Sequence, residues 1–158
     1  MEFYTNSQYK GSIENKKTLV LDVTIGSPNT TFGEDLIEPL KIDAVTDIYL
    51  DSFTTFKCKT SDDKTESGFL LNINEFNSNV ATNNSLFSNT IFIPNEQSTA
   101  SDPAITKTHK GKKLNYVGYL LPQNIRRLTG TLTDLNSVTM GVDANFRFIA
   151  EFVLITRE

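Results

Sequence analysis

Hydrophobic and polar positions alternate along much of this 158-residue chain with the two-residue period of β-strands. In TLVLDVTIG (18–26), every odd-numbered position from Leu19 to Ile25 is apolar, whereas the even-numbered positions include Asp22 and Thr24. Comparable patterns predict further strands at 40–56, 69–76, 90–94, 114–121, 127–133 and 145–157. Strands therefore account for most of the patterned chain.

The segment 40–56, LKIDAVTDIYLDSFTTF, is long for a single strand, so a β-bulge or a split is expected near Asp51 and Ser52. Counted as two strands, it brings the total to eight. The nearest candidates for helices, 33–40 and 122–129, are short and interrupted by proline or β-branched residues. Eight strands without helical crossovers predict an antiparallel sandwich or barrel.

The connections between the predicted strands differ greatly in length. Three of them, 27–39, 77–89 and 95–113, are long and polar, while others are tight. Short turns mixed with long crossing connections favour a Greek-key or jelly-roll sandwich over an up-and-down meander. The sequence therefore predicts an all-β fold, an antiparallel eight-stranded jelly-roll β-sandwich.

The last predicted strand, NFRFIAEFVLITR, carries apolar residues on both of its faces, which predicts a strand in the middle of a sheet. One of these faces joins the alternating apolar positions of the other strands in the predicted core. That core comprises Leu19, Leu21, Val23, Ile42, Ile48, Leu50, Leu71, Ile73, Leu128, Leu132, Phe146, Phe148, Phe152 and Leu154.

The chain has the length of one domain, and its first predicted strand follows a polar opening stretch. Residues 1–16 are accordingly expected to form an N-terminal arm, and residues 17–158 a single jelly-roll domain. The arm carries Phe3, Tyr4 and Tyr9 with no strand nearby in sequence to pack against. Because aromatic residues are enriched where proteins meet, these three are the candidate assembly contacts. The alternative is a frayed terminus.

The overall composition limits the classes of partner. The net charge is −4 and the pI is ≈ 5.0, so no specific nucleic-acid binding is expected. The single cysteine, Cys58, excludes an intrachain disulfide framework. The sequence contains neither a signal-peptide core nor an apolar run of about 18 residues. It therefore predicts a protein that has no membrane span and that is not secreted by means of a signal peptide.

Residues that could carry catalysis are few. The only histidine, His109, and the only cysteine, Cys58, stand in contexts without a nucleophile signature. Asp43, Asp47 and Asp51 could bind calcium, but they lack the ligand spacing of an EF-hand loop, which favours a solvated strand face. We expect no catalytic residue, no cofactor and no metal site.

The only basic cluster is KTHKGKK, residues 107–113. One interpretation is a solvated loop whose lysines discourage association before assembly. The other is a contact for phosphate or for an acidic partner. The loop interpretation is the preferred one.

A longer pattern extends over about residues 40–155. PLKIDAVTDIYLDSFTTF is followed by GFLLNINEFN, IFIPNE, LNYVGYLLPQNIRRLTGTLTDLN and FRFIAEFVLI. This order resembles the single jelly-roll capsid proteins, pentons and minor capsid proteins, of large double-stranded DNA viruses of eukaryotes and their virophage relatives. The family's segment P-x-x-I-x-x-L-T-G-x-L-T-D is matched by Pro122, Ile125, Leu128, Thr129, Leu132, Thr133 and Asp134.

The resemblance implies a structural protein of the virion capsid, at a vertex or in a minor position, assembling beside a double jelly-roll major capsid protein. It implies a homo-oligomer, with a pentamer favoured, and contacts with other capsid proteins. It brings no catalytic residue. Two alternatives stay open: a receptor- or carbohydrate-binding β-sandwich module of a spike or fibre, and a hydrolase on a sandwich fold.

Overall fold

Two four-stranded antiparallel sheets form the fold in the computed structural model. The structure describes residues 16–26, 29–56, 68–78, 89–94, 107–133, 135 and 145–157, and of 107–114 the backbone only. The strands within these residues are β1 (Lys16–Ile25), β2 (Thr31–Ile42), β3 (Thr46–Phe56), β4 (Gly68–Ile73), β5 (Ile91–Pro94), β6 (Lys107–Leu120), β7 (Gln123–Thr133) and β8 (Phe146–Thr156).

The order of the strands defines the architecture. It is β1-β8-β3-β6 in the first sheet and β2-β7-β4-β5 in the second. Except for β4 and β5, strands that follow one another along the chain lie in different sheets. This is an eight-stranded, jelly-roll-like sandwich, which confirms the predicted fold class. The strand β8 lies between β1 and β3, in the middle of its sheet, as its two apolar faces predicted.

The inner faces of the two sheets share one hydrophobic core. Every residue of the predicted core is buried in it. The core also contains phenylalanines that the sequence pattern had not assigned to it, namely Phe32, Phe53, Phe69, and Phe76. Burial of one such side chain contributes about 1.5–3 kcal/mol, so these rings add substantially to the cohesion of the two sheets.

Aromatic contacts centred on Phe148 join the sheets. The ring of Phe148 lies 5.5 Å from that of Phe32 and 5.7 Å from that of Phe53, between centroids. Phe53 in turn lies 5.3 Å from Phe69. Phe148 and Phe53 belong to the first sheet, whereas the other two rings belong to the second. Tilted and edge-to-face pairs at these separations are favourable beyond the area they bury.

A β-bulge at Asp51 determines that Phe53 is buried. Leu50 and Ser52 pair with successive residues of β8, so Asp51 between them has no partner on that strand. The extra residue shifts the alternation: up to Leu50 the even-numbered residues are buried, and from Phe53 onwards the odd-numbered ones are. The bulge predicted near Asp51 is confirmed, but a split of the strand at that point was wrong.

The strand β2 occupies most of a segment predicted as a connection, 27–39. Its alternation is interrupted because residues 36–39 lie opposite Arg126 of β7 alone. Pro39 is part of this bulge, and an edge strand tolerates proline there because one side of its backbone is unpaired in the sheet. The division within the long segment 40–56 falls at 43–45, between β2 and β3.

The strand β6 begins at Lys107, inside the predicted connection 95–113. The backbone of its first part pairs with β3, from Lys107 opposite Thr55 to Lys110 opposite Ser52. Its lysines had suggested a loop, but a strand at the edge of a sheet accepts such residues because they discourage aggregation. The prediction of a loop over 107–113 was therefore wrong, whereas the role of its lysines stays a prediction.

We predict that Phe148→Ala lowers the free energy of unfolding by about 3–5 kcal/mol, because removal of a ring buried between two other rings leaves a cavity. Urea unfolding followed by circular dichroism measures the change. Phe92→Ala is the matched control, since Phe92 lies on the edge strand β5 and is 48% exposed. Equal losses of unfolding free energy in the two variants, or a loss below about 1 kcal/mol for Phe148→Ala, would contradict the packing described.

Candidate interaction surfaces

Side chains suited to catalysis or metal binding do not converge in the part of the chain that the structure describes. No group of three or more His, Cys, Asp or Glu residues there could hold a metal ion. His109 lies on β6, with its backbone opposite Phe53. Cys58 lies outside the described residues.

Two of the three predicted strand-face carboxylates are engaged with cations of their own chain. Arg157 donates to Oδ1 of Asp47 from Nη2 at 2.6 Å and from Nε at 3.0 Å. Hydrogen bonding to this carboxylate, together with its charge, raises the pKa of Arg157 above its ordinary value. Asp43 lies 3.8 Å from Nζ of Lys41. Asp51 is exposed at the bulge of β3.

The predicted assembly contacts Phe3, Tyr4 and Tyr9 lie outside the described residues. The N-terminal arm therefore stays a prediction. The described residues show instead how the two lateral sides of the sandwich are built.

The strand order leaves a pair of edge strands on each lateral side. The strands β1 and β2 lie at the same end of the two sheets and contact each other, while β5 and β6 do so at the other end. In the part of the chain that the structure describes, each of these four strands pairs with a strand of its own sheet on one side only. Because an edge strand presents unpaired backbone groups, the lateral sides are natural places for contact with another chain.

A groove of about 590 Å³ lies between β1 and β2, lined by residues 17–22 and 34–40. We call it the β1–β2 groove. Its lining includes Ile37, which is fully exposed in the bulge of β2, and Val20, which is 53% exposed. Exposed apolar side chains gathered in one groove are typical of an interaction site.

Two arginines from the neighbouring strands reach acids of the groove. Arg147 of β8 donates to both carboxylate oxygens of Asp22, at 2.8 and 2.6 Å. Arg127 of β7 donates to Asp35 at 2.7 Å. Gly33 leaves the space that the Arg127 guanidinium occupies, since a side chain there would collide with it. Each ion pair therefore joins an edge strand to its neighbour in the sheet.

The pair formed by Arg147 and Asp22 changes the pKa of both groups. Hydrogen bonding from the guanidinium lowers the pKa of Asp22, and the carboxylate raises that of Arg147. Arg147 also lies over the ring of Phe56, with its Cζ 5.7 Å from the centroid. The guanidinium is thus positioned by contacts from β1 and β3, the two strands that flank β8.

The β1–β2 groove has an excess of negative charge. Its acids are Asp22, Glu34, Asp35 and Glu38, against the single cation Lys17. Arginines neutralise two of these acids within the chain. No described cation forms an ion pair with Glu34 or Glu38. The charge of these two glutamates is therefore available to a partner.

An aromatic pair lies on the outer face of the first sheet. Tyr49 of β3 and Tyr116 of β6 are opposite each other in register, and their ring centroids are 5.7 Å apart at an interplanar angle of 74°. Tyr116 is 53% exposed. The pair presents one accessible ring rather than a flat platform of two, because the second ring meets it edge to face.

Sequence reasoning did not single out Glu34, Ile37 or Glu38, because their segment was predicted as a connection. The sequence signal for this site was GEDLIEPL, in which Leu36 and Ile37 lie between acidic residues and shortly before Pro39. Only the strand order shows that this segment lies next to β1. The groove therefore arises from the order of the strands in the two sheets and not from a local sequence pattern.

The fold places the chain in a broad class, the all-β proteins with a jelly-roll-like sandwich. In comparisons with known proteins, no family model matches the chain and no curated protein matches its sequence. Within the described residues, no helix is long and apolar enough to cross a membrane.

We predict that Asp22→Asn lowers the melting temperature at neutral pH, because it removes the carboxylate that Arg147 binds. Since the pKa of Asp22 is lowered in the folded protein, the pair stabilises the fold above about pH 4. Its contribution is lost as the pH falls through the folded-state pKa. The gap in melting temperature between wild type and variant should therefore stay nearly constant from about pH 7 to about pH 4 and begin to narrow from there to about pH 3.

Scanning calorimetry across that pH range is the measurement. The control is Asp51→Asn, which removes an exposed carboxylate that has no described ion pair. The difference in melting temperature between this control and wild type should be small and should not narrow in the same way. A constant gap for Asp22→Asn at all pH values would show that the ion pair does not stabilise the fold.

Proposed function

We propose that this chain is a structural capsid protein, a penton or minor capsid component that assembles beside a double jelly-roll major capsid protein. The observation that carries the proposal is the strand order β1-β8-β3-β6 and β2-β7-β4-β5. Jelly rolls of eight strands serve as viral capsid domains, and also as lectin domains and cupins. The sequence resemblance over about residues 40–155 favours the first of these uses.

The interior of the sandwich supports a structural role. Phenylalanine, leucine and isoleucine side chains fill the space between the sheets, and the buried polar residues among those described are threonines. A small-molecule site instead needs a concave cavity in which a few polar groups converge. The groove and the exposed apolar residues lie on the outside, where they suit contacts with other proteins.

In this proposal the protein resides in the virion, and it reaches the capsid by assembly inside the host cell. Its partners are further copies of itself, with a closed pentamer as the favoured form, and other capsid proteins. The net charge of −4 gives no support for a role in binding nucleic acid.

A second candidate is a receptor- or carbohydrate-binding module of a spike or fibre. The observation in its favour is Tyr116, an exposed ring that could stack on an apolar ligand face. The edge-to-face position of Tyr49 leaves a single ring for such stacking. Glycan binding that Tyr116→Ala abolishes would favour this candidate over the capsid role.

We predict that the full-length chain forms a closed pentamer, with five times the 17.7 kDa mass of one chain in native mass spectrometry. Co-expression with a double jelly-roll shell protein should place it in particles. A chain that is monomeric and also absent from purified particles would contradict the proposed function. Incorporation of a monomer would retain the capsid role and exclude the pentamer.

The strand β1 begins at Lys16, the last residue of the expected arm. We also predict that residues 1–15 form an arm that contacts an adjacent capsid subunit through Phe3, Tyr4 and Tyr9. Deletion of residues 2–12 should leave the melting temperature nearly unchanged and abolish incorporation into particles. Fluorimetry and particle composition are the measurements. The reason is that interface aromatics contribute to association, whereas an arm outside the sandwich adds little to its core.

The matched control replaces the three aromatic residues with serine and keeps the length of the arm. Loss of incorporation in both variants would assign the contact to the aromatic rings. Normal incorporation of the deletion variant would contradict the arm hypothesis, and the sandwich itself would then make the contacts.

A further inference from the structure

The two lateral sides of the sandwich differ in charge. On one side, β1 and β2 contain four acids and three lysines, and the groove between these strands is lined by all four acids and by only one of the lysines. On the other side, the sequences of β5 and β6 contain four lysines and no acid. All four lysines lie in residues 107–113, the first half of β6.

Both sides also combine exposed apolar surface with an interrupted strand. Ile37 is fully exposed in the bulge of β2, and Phe92 of β5 is 48% exposed on the opposite side. In β6, residues 111–114 lie opposite Asp51 of β3 alone, so this edge strand has a bulge as well. The two sides thus offer the same kinds of contact, with acids lining the groove on one side and lysines in the sequence of β6 on the other.

The first half of β6 has a free edge as far as the described residues show. Its backbone pairs with β3 on one side, and on the other side the described contact is a bridge between Asn77 and Tyr119 near the end of the strand. Residues 107–113 lie before that bridge. Lysines on a free edge discourage unspecific pairing, and an acidic surface would remove that obstacle.

Within the groove, the internal ion pairs determine which acids a partner can use. Arg147 forms an ion pair with Asp22, and Arg127 forms one with Asp35. Glu34 and Glu38 remain beside the exposed Ile37, and both line the groove. A basic edge strand placed there would bring cations near two carboxylates that no described cation neutralises.

We propose that the β1–β2 groove of one copy binds the lysine-rich edge of β6 of a second copy, head to tail. This proposal rests on the homo-oligomer of the proposed function and names its contact surfaces. Because the surfaces lie on opposite sides of one sandwich, each copy can donate an edge and accept another. Such heterologous contacts generate a ring when the rotation between copies closes.

Charge reversal on each side provides the test. The groove variant is Glu34→Lys with Glu38→Lys, and the edge variant is Lys110→Glu with Lys112→Glu. Each variant alone places like charges in the contact, so its self-association should weaken about tenfold or more in sedimentation velocity. The chain with all four substitutions again places lysines opposite glutamates and should self-associate more tightly than either single-sided variant.

Two further measurements sharpen the test. A mixture of the groove variant and the edge variant should form mixed assemblies, because each provides the surface that the other needs. The matched control compares Glu38→Lys with Asp43→Lys, an exposed acid close to the end of β2 that lies outside the groove lining. Only the first should weaken association, and circular dichroism verifies the fold of every variant.

The outcomes separate this proposal from the capsid role. If the wild type is a pentamer and the single-sided variants are pentamers too, the contact is elsewhere and the homo-oligomer stands. If the single-sided variants are monomers and the four-substitution chain is also a monomer, the pairing of these two surfaces is wrong. A wild-type monomer that still enters particles would overturn the head-to-tail contact and leave the capsid role intact.

Discussion

The packing of Phe148 against rings from both sheets is the interaction on which the rest of the sandwich depends. Phe148 lies on the central strand β8 and contacts Phe32 across the gap and Phe53 on the adjacent strand. Phe53 takes part only because the bulge at Asp51 turns it inward. With β8 fixed in this way, β1 pairs on one side of it and β3 on the other, so the lateral sides derive their positions from this aromatic core.

The inner faces could be predicted because strict alternation is a physical consequence of the strand period. The apolar residues from Leu19 to Ile25 alternate without interruption, and all are buried. Phe53 could not be placed in this way, since a bulge shifts the alternation without altering the composition. The strand β2 and the first half of β6 were missed for a related reason. Neither of these two segments has a continuous apolar face in its sequence, and their bulges shorten the regular pattern.

The lateral surfaces were much less predictable than the core. The sequence identified the basic segment 107–113, but it gave no sign that this segment is an edge strand. The groove requires residues 17–22 to lie beside residues 34–40, and that neighbourhood follows from two different sheets stacking at one end. Pairing between distant strands depends on the whole set of registers, which a single sequence pattern does not reveal.

The edges of the sandwich limit the pairing of its backbone with other chains. A regular free edge would pair with any similar strand, whereas bulges and proline in β2 and lysines in β6 prevent long continuous backbone pairing. In the proposed assembly, association then depends on side chains, whose charge and shape select one arrangement. Electrostatic attraction of this kind acts over about 8–10 Å at moderate salt, so it orients copies before they touch. In the proposed head-to-tail contact, edges that resist backbone pairing and bring lysines to glutamates would therefore favour ordered association over aggregation.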